Sequence, residues 1–305
     1  MRLASALSAL VLAGAGCGTA GGDAAGSGGP EVIAAFYPLE FVASEIVGES
    51  ATVTNLSPPG VEPHDLELAP GQVRALAGAD LVIYIGEGFQ PAVEEVIGEL
   101  SDTTLIDGLK TQDGLLEGDE HENDSEDGHD EGASDPHVWL DPTRVASLGH
   151  SVAAEMARID PDNADLYERN AADLEEALDD LDKEYSAALD DCDQNQLVVS
   201  HEAFGYLTDR YGLEQVGVSG IDPESEPAPG RVAEVAEFAR DHGVTTIFFE
   251  EQVAPDIAQV IADEIGAEVA VLDPLEFEPE DGSDYFDVMR NNLDSISTAL
   301  GCNRR

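Results

Sequence analysis

The chain predicts an α/β protein: two similar lobes, each a parallel sheet covered by helices, joined by one long rigid helix. Three observations carry this. Short apolar runs alternate with stretches of helical spacing in both halves of the 305 residues, a rhythm that indicates parallel strands with helical crossovers. A helical pattern from about Asp162 to Asp190 separates the halves; it is about twice the usual helix length and reads as a strut. The length and the 42% hydrophobic content supply enough apolar material for two domains.

The first lobe is expected over 31–143. Glu31 to Ala35 is a strand, and Leu39 to Val47 a helix ended by Gly48. Ala51 to Leu56 is a strand that runs into the rigid loop S-P-P-G-V-E-P-H-D around His64. Pro70 to Ala79 is a short helix, and Asp80 to Ile85 an apolar run typical of a strand covered on both faces. Phe89 to Leu100 has helical spacing, and Thr103 to Asp107 is a further strand. Residues 112–134 break the rhythm. They are rich in Asp, Glu and Gly and nearly devoid of apolar side chains, which predicts a disordered surface loop. His121 and His129 lie in it, so it is either a solvated acidic insert or a weak, exposed trap for divalent cations.

D-P-H-V-W-L-D-P, Asp135 to Pro142, follows. Its prolines hold the backbone out of helix around His137 and the single tryptophan, Trp139. The connecting helices occupy 144–192: Arg144 to Ile159, then the strut, whose apolar face is Leu166, Leu174, Leu178, Leu181, Tyr185 and Leu189. The second lobe, 193–305, repeats the style of the first. Strands are expected at Gln196 to Ser200, Leu213 to Val218, Thr245 to Phe249 and Glu268 to Leu272. Helices are expected at Ala203 to Tyr211, Arg231 to His242, Pro255 to Ile265 and Asp284 to Leu300.

With 65 acidic residues against 13 basic ones, the formal net charge is -52. Nucleic acid and anionic membrane surfaces are therefore poor partners. Self-repulsion on this scale works against a compact state unless salt screens it, which points to a saline habitat. Stability is therefore expected to rise between low and molar salt, and a denaturant midpoint that does not move would contradict this.

Residues 1–17 read as a signal peptide: Arg2, a short apolar run from Leu3 to Ala13, then A-G-A-G-C ending at Cys17. Small residues before a cysteine resemble a bacterial lipobox, which makes Cys17 the expected lipidated N-terminus and the membrane anchor. Gly14 stands where an aliphatic residue is usual, so plain secretion is the alternative. Residues 18–30 fit a flexible tether. Export implies an oxidising compartment, so Cys192 and Cys302 are expected to form a disulfide; two buried thiols are the other reading.

His64, His137 and His201 each lie beyond an apolar run or in a proline-framed turn, and Asp273 ends the last strand. Ligands of open parallel sheets bind beyond the carboxyl ends of strands. Two of the four residues come from each half, so they are able to meet between lobes. Three imidazoles and one carboxylate suit tetrahedral zinc. Strand-tip histidines and aspartates are also common as structural residues.

The segments P-G-V-E-P-H-D-L-E, D-P-H-V-W-L-D-P, V-S-H-E-A-F-G-Y-L and V-L-D-P-L resemble the signatures of the metal-binding solute receptors of ABC importers, the ZnuA/TroA type or cluster A-I family. The resemblance runs from Glu31 to Leu300. It implies His64, His137, His201 and Asp273 as ligands, two α/β lobes on one long helix, and no enzymatic reaction. The expected partners are a membrane permease and its ATPase, with the receptor a monomer. Manganese members of the family carry Glu at the position of His201, so the histidine trio favours Zn2+, with Mn2+ as the alternative cargo. The stretch Y-I-G-E-G-F-Q differs from the family's usual N-G-x-G-x-E and leaves the roles of Glu87 and Gln90 open.

Glu62, Glu202 and Glu250 lie near the histidine motifs, either touching a ligand or simply solvated. His150 and His242 read as structural, and Trp139 as cleft wall or core. A zinc hydrolase is the competing class, with Glu202 or Glu250 as base. It requires an open coordination position, and neither H-E-x-x-H nor a nucleophile elbow is present.

Overall fold

The computed structural model describes residues 29–118, 134–223, 227–250, 256–280 and 282–303. The leader with Cys17, and His121 and His129 of the acidic loop, lie outside them. Eight strands among the described residues form two parallel sheets of four. The first holds β1 (Glu31–Ala34), β2 (Thr52–Asn55), β3 (Leu81–Tyr84) and β4 (Thr104–Asp107), ordered β2-β1-β3-β4. The second holds β5 (Gln196–Val199), β6 (Glu214–Gly217), β7 (Thr246–Phe249) and β8 (Glu268–Val271), ordered β6-β5-β7-β8. The same strand order recurs in both, so each lobe has its switch of winding direction beside its first strand.

Central strands are buried because helices cover both faces; Val32, Ile33 and Ala34 of β1 and Leu81, Val82 and Ile83 of β3 are at most 3% exposed. The covering helices of the first sheet are α1 (Tyr37–Val47), α2 (Pro70–Gly78) and α3 (Pro91–Gly98). Then come α4 (Pro142–Ile159) and α5 (Ala164–Leu189), and the second sheet carries α6 (Gly205–Tyr211), α7 (Pro229–Asp241), α8 (Asp256–Ile265) and α9 (Tyr285–Ala299). Proline stands in the first turn of α1, α2, α3, α4 and α7. There its missing N–H costs nothing and its φ is already helical.

The strut is α5, 26 residues or about 39 Å long. Its buried stripe is Tyr167, Ala171, Leu174, Leu178, Leu181, Tyr185 and Leu189. Leu166, expected on this face, is only half-buried; Tyr167 lies four residues before Ala171 and so continues the stripe. The Tyr185 hydroxyl donates to the carbonyl of Met289 on α9 (2.6 Å), joining the strut to the second lobe. One continuous apolar core runs from Phe36 and Val42 through Leu174, Leu178 and Tyr185 to Leu275 and Tyr285. The lobes therefore share packing as well as a helix.

Cys192 and Cys302 form a disulfide across 110 residues of chain, tying the end of α9 to the entry of the second lobe. Beside it the backbone N–H groups of Asp193 and Gln194 both donate to the carbonyl of Leu300 (3.1 Å each). Closing so long a loop is worth roughly 4 to 5 kcal/mol on the chain-entropy account. The Cys192→Ser/Cys302→Ser protein is expected to lose about that much stability in denaturant titration. A loss below about 1 kcal/mol would contradict the chain-entropy account.

Candidate metal site

Each histidine is set by local backbone chemistry. His64 ends the proline-framed loop after β2, and its ring packs edge-on to Phe89 (4.3 Å between centroids). His137 enters a short 3-10 turn, Val138–Leu140. The Asp135 carboxylate opens this turn by accepting from the His137 backbone N–H (2.9 Å), and Asp141 closes it as the N-cap of α4, accepting from Thr143 N–H (2.9 Å). His201 lies two residues beyond β5. Strands β5 and β7 pair with Val198 opposite Ile247, so the next three residues of each bring His201 beside Glu250.

The three rings converge. Centroid separations are 5.7 Å for His64–His137, 5.3 Å for His137–His201 and 6.5 Å for His64–His201. The fourth group is Glu276. Its Oε1 lies 3.7 Å from Nε2 of His64, 3.3 Å from Nε2 of His137 and 3.4 Å from Nε2 of His201. One donor atom from each of the four residues lies within 4.8 Å of the others. Asp273, expected in this position, does not join the group. Its Oδ1 accepts from the backbone N–H of Leu275 (2.7 Å), closing the turn that leads to Glu276.

The three Nε2 atoms and both Glu276 oxygens are buried and have no hydrogen-bond partner. Buried polar groups are normally satisfied, so three unpartnered Nε2 atoms gathered around Glu276 Oε1 call for a further species. Tetrahedral ligands 2.0–2.1 Å from zinc stand about 3.3 to 3.4 Å apart. The Glu276–histidine distances match that edge to within a few tenths of an ångström.

The other ring nitrogens are held by carboxylates. His137 Nδ1 meets Asp135 Oδ1 at 2.8 Å, and His201 Nδ1 meets Glu250 Oε1 at 2.5 Å. Such contacts fix the tautomer that leaves Nε2 free for a cation and strengthen it as a donor. Ser200 Oγ donates to the same Glu250 oxygen. Of the three acids near the motifs, Glu250 is therefore bound to a histidine rather than solvated. Glu62 Oε1 accepts from the backbone N–H of His64 (3.4 Å). Burial and the Glu276 charge push the Glu62 carboxyl up to about 9. Glu202 meets Arg231 Nη2 at 3.5 Å.

Charge in the cleft is set by these contacts. Burial works against ionisation of Glu276, yet the imidazoles of His137, His201 and His64 hold its carboxyl well below the usual range. Burial alone would lower both inner histidines. Asp135 and Glu276 nevertheless raise His137, and Glu250 and Glu276 raise His201 well above its ordinary value. Without metal, protons take up part of the role that a dication would fill.

The wall is aromatic. Phe36, Phe89 and Trp139 pack mutually at 4.8–5.5 Å, and Trp139 lies 5.1 Å from the His137 ring. Trp139 is both wall and interlobe tie: its Nε1–H donates to the carbonyl of Pro274 (2.7 Å) and its own carbonyl accepts from Tyr285 OH (2.7 Å). Glu87 adopts φ 59° and its Oε2 accepts from Ser134 N–H (2.9 Å), holding the end of the acidic loop; Gln90 is buried at the start of α3. His150 pairs with Glu175 on the surface (3.0 Å), and His242 stacks on Phe238 (4.1 Å), so both are structural. Sequence reasoning missed Glu276. The one available sign was an acid between Leu275 and Phe277 just past D-P-L, and acids at 273, 276, 278 and 280 compete there.

The chain is similar to several known proteins. The chain is 34% identical over 279 residues to the high-affinity zinc uptake system protein ZnuA of Bacillus subtilis, covering 88% of this chain and 87% of that protein. It is equally similar over 284 residues to the zinc-binding protein AdcA of Streptococcus pyogenes, where the match covers 87% of this chain but spans only 55% of the relative's length. Among solved structures, Zn(II)-bound AdcA of Streptococcus pneumoniae superposes with a TM-score of 0.76 at 31% identity, over 90% of this chain and 58% of that one. The laminin-binding protein Lmb of Streptococcus agalactiae, described as having adhesin and metal-transporting activity, gives 0.80 at 30% identity over 89% of this chain and all of that one. Residues 32–299 match the profile of the zinc-uptake complex component A, periplasmic, and the chain belongs to that family, ZnuA.

Proposed function

We propose that the chain is an extracytoplasmic receptor that captures Zn2+ between its two lobes and delivers it to an ABC permease driven by a separate ATPase. His64, His137 and His201 each give Nε2 and Glu276 gives a carboxylate oxygen, with Asp135 and Glu250 behind two of the rings. The observation that carries this is the set of four buried, unpartnered donor atoms, three Nε2 and Glu276 Oε1, with the oxygen 3.3–3.7 Å from each nitrogen, close to the edge of a zinc tetrahedron. Three imidazoles with one oxygen favour zinc over manganese, which prefers oxygen-rich shells. Four protein donors complete a tetrahedron, so the ion is held as cargo and no position is kept for a reacting water. Lipidation at Cys17 would keep the receptor at the outer face of the membrane, as the name of the zinc-binding lipoprotein AdcA of Streptococcus pneumoniae suggests for that relative.

The test is competitive titration of metal-free protein with Zn2+ and Mn2+, beside metal analysis after dialysis. One tightly held zinc per chain, displaced poorly by manganese, is expected. Manganese retained in preference to zinc, or no metal retained, would overturn the reading.

Proton competition gives a second expected result. Zinc needs each Nε2 bare, and His137 and His201 hold protons above the ordinary histidine value in the metal-free protein. Affinity should therefore weaken as pH falls, beginning above pH ~6.5, by about tenfold per pH unit for each proton displaced. Calorimetry in buffers of different ionisation enthalpy should show proton release on zinc binding near neutrality. No release there would contradict the raised histidines.

A further inference from the structure

We propose that Asp273 is a positioning residue that aims Glu276 at the three imidazoles by locking a strained turn. The proposal rests on the zinc reading above. Leu275 is fully buried and adopts φ 60°, one of two non-glycine residues with positive φ among the described residues. A branched side chain does not choose this backbone without help. The help is visible on every side. Asp273 Oδ1 accepts from Leu275 N–H (2.7 Å), a side-chain closure that mimics a backbone turn. Asn292 of α9 brackets Asp273 from behind: its Oδ1 accepts from Asp273 N–H (2.9 Å) and its Nδ2–H donates to Asp273 C=O (2.7 Å). Pro274 C=O takes the Trp139 indole N–H from the other lobe (2.7 Å).

Three consecutive residues are thus fixed before the chain reaches Glu276. A free D-P-L-E segment samples several turns, and only one sends a carboxylate into a pocket where the histidines stand 3.3–3.7 Å away. Asp273 acts through its acceptor oxygen and the backbone.

The experiment compares zinc affinity, by chelator competition, in Asp273→Ala, Asp273→Asn and Glu276→Ala, with Trp139 emission of the metal-free proteins as a second readout. Asp273→Ala should weaken zinc by about 10- to 100-fold, the usual cost of removing a group that orients a ligand. It should also shift Trp139 emission, because Trp139 is bonded to the same turn. Asp273→Asn keeps the accepting oxygen and should restore affinity to within about threefold of wild type. Equal loss in the Asn and Ala proteins would mean that the charge of Asp273 matters rather than the turn, and would overturn the proposal. So would an unchanged Asp273→Ala protein beside a weakened Glu276→Ala protein. An unchanged Glu276→Ala protein would instead strike the zinc site itself. Should Asp273→Ala not fold, Asn292→Ala removes the bracket from the other side: weaker zinc supports the locked turn, and unchanged zinc rejects it.

Discussion

Glu276→Ala protein is expected to bind zinc at least about 100-fold more weakly than wild type, more than changes behind the ligands usually cost. The reason is charge as well as geometry. Among the described residues, Glu276 is the carboxylate whose oxygen faces all three Nε2 atoms, and it is buried. Without it a dication would sit in a low-dielectric pocket among neutral rings, with no directly bound anion to offset its desolvation. Part of the loss should be returned at neutral pH, because Glu276 also helps to keep His137 and His201 protonated in the metal-free protein. Glu276→Gln retains a neutral oxygen donor, so its loss should be smaller and its pH dependence shallower than wild type. Chelator competition at pH 6, 7 and 8 measures both variants. Wild-type affinity in Glu276→Ala would remove Glu276 from the site and reopen the choice of fourth donor.

Zinc should also raise the melting temperature substantially. An ion bound only by the folded chain stabilises it by about 4.1 kcal/mol at 1,000 times its dissociation constant. For a chain of this length, with an unfolding entropy of about 2.1 cal/mol/K per residue, each kcal/mol is worth about 2 °C, so a rise of roughly 7 to 8 °C is expected. The gain is concentrated where the metal-free fold is least satisfied. Five buried donor atoms lack partners there, and zinc offers four of them a ligand bond. Differential scanning calorimetry with zinc or chelator gives the shift directly. His201→Ala should lose most of it, because the cation would meet one fewer imidazole and a gap at the tip of β5. An equal shift in His201→Ala and wild type would place the stabilising ion elsewhere on this highly acidic surface.

Most of the architecture was legible in the chain. The eight strands read as apolar runs because parallel strands covered on both faces need no polar alternation, and each observed strand falls inside the expected span. Helix starts were less legible. Helices α4 and α7 begin at Pro142 and Pro229, two residues before the expected starts at Arg144 and Arg231, since proline fits the first turn. The strut shows the limit of spacing arguments: Leu166 and Tyr167 are adjacent and both apolar, and packing chose Tyr167.

The amino-acid sequence by itself determined the two sheets, the strut, the disulfide pair and the three histidines at strand ends or in a rigid turn. Those depend on local pattern and on proline and cysteine chemistry. Tertiary structure alone decided which acids serve the histidines. Glu250 reaches His201 through the register of β5 against β7, and Asp135 reaches the His137 ring through the 3-10 turn. Glu276 rather than Asp273 faces the rings because Leu275 takes a left-handed backbone between Asn292 and Trp139. A carboxylate's direction depends on dihedral angles set by distant partners, and those partners are not written in its own neighbourhood.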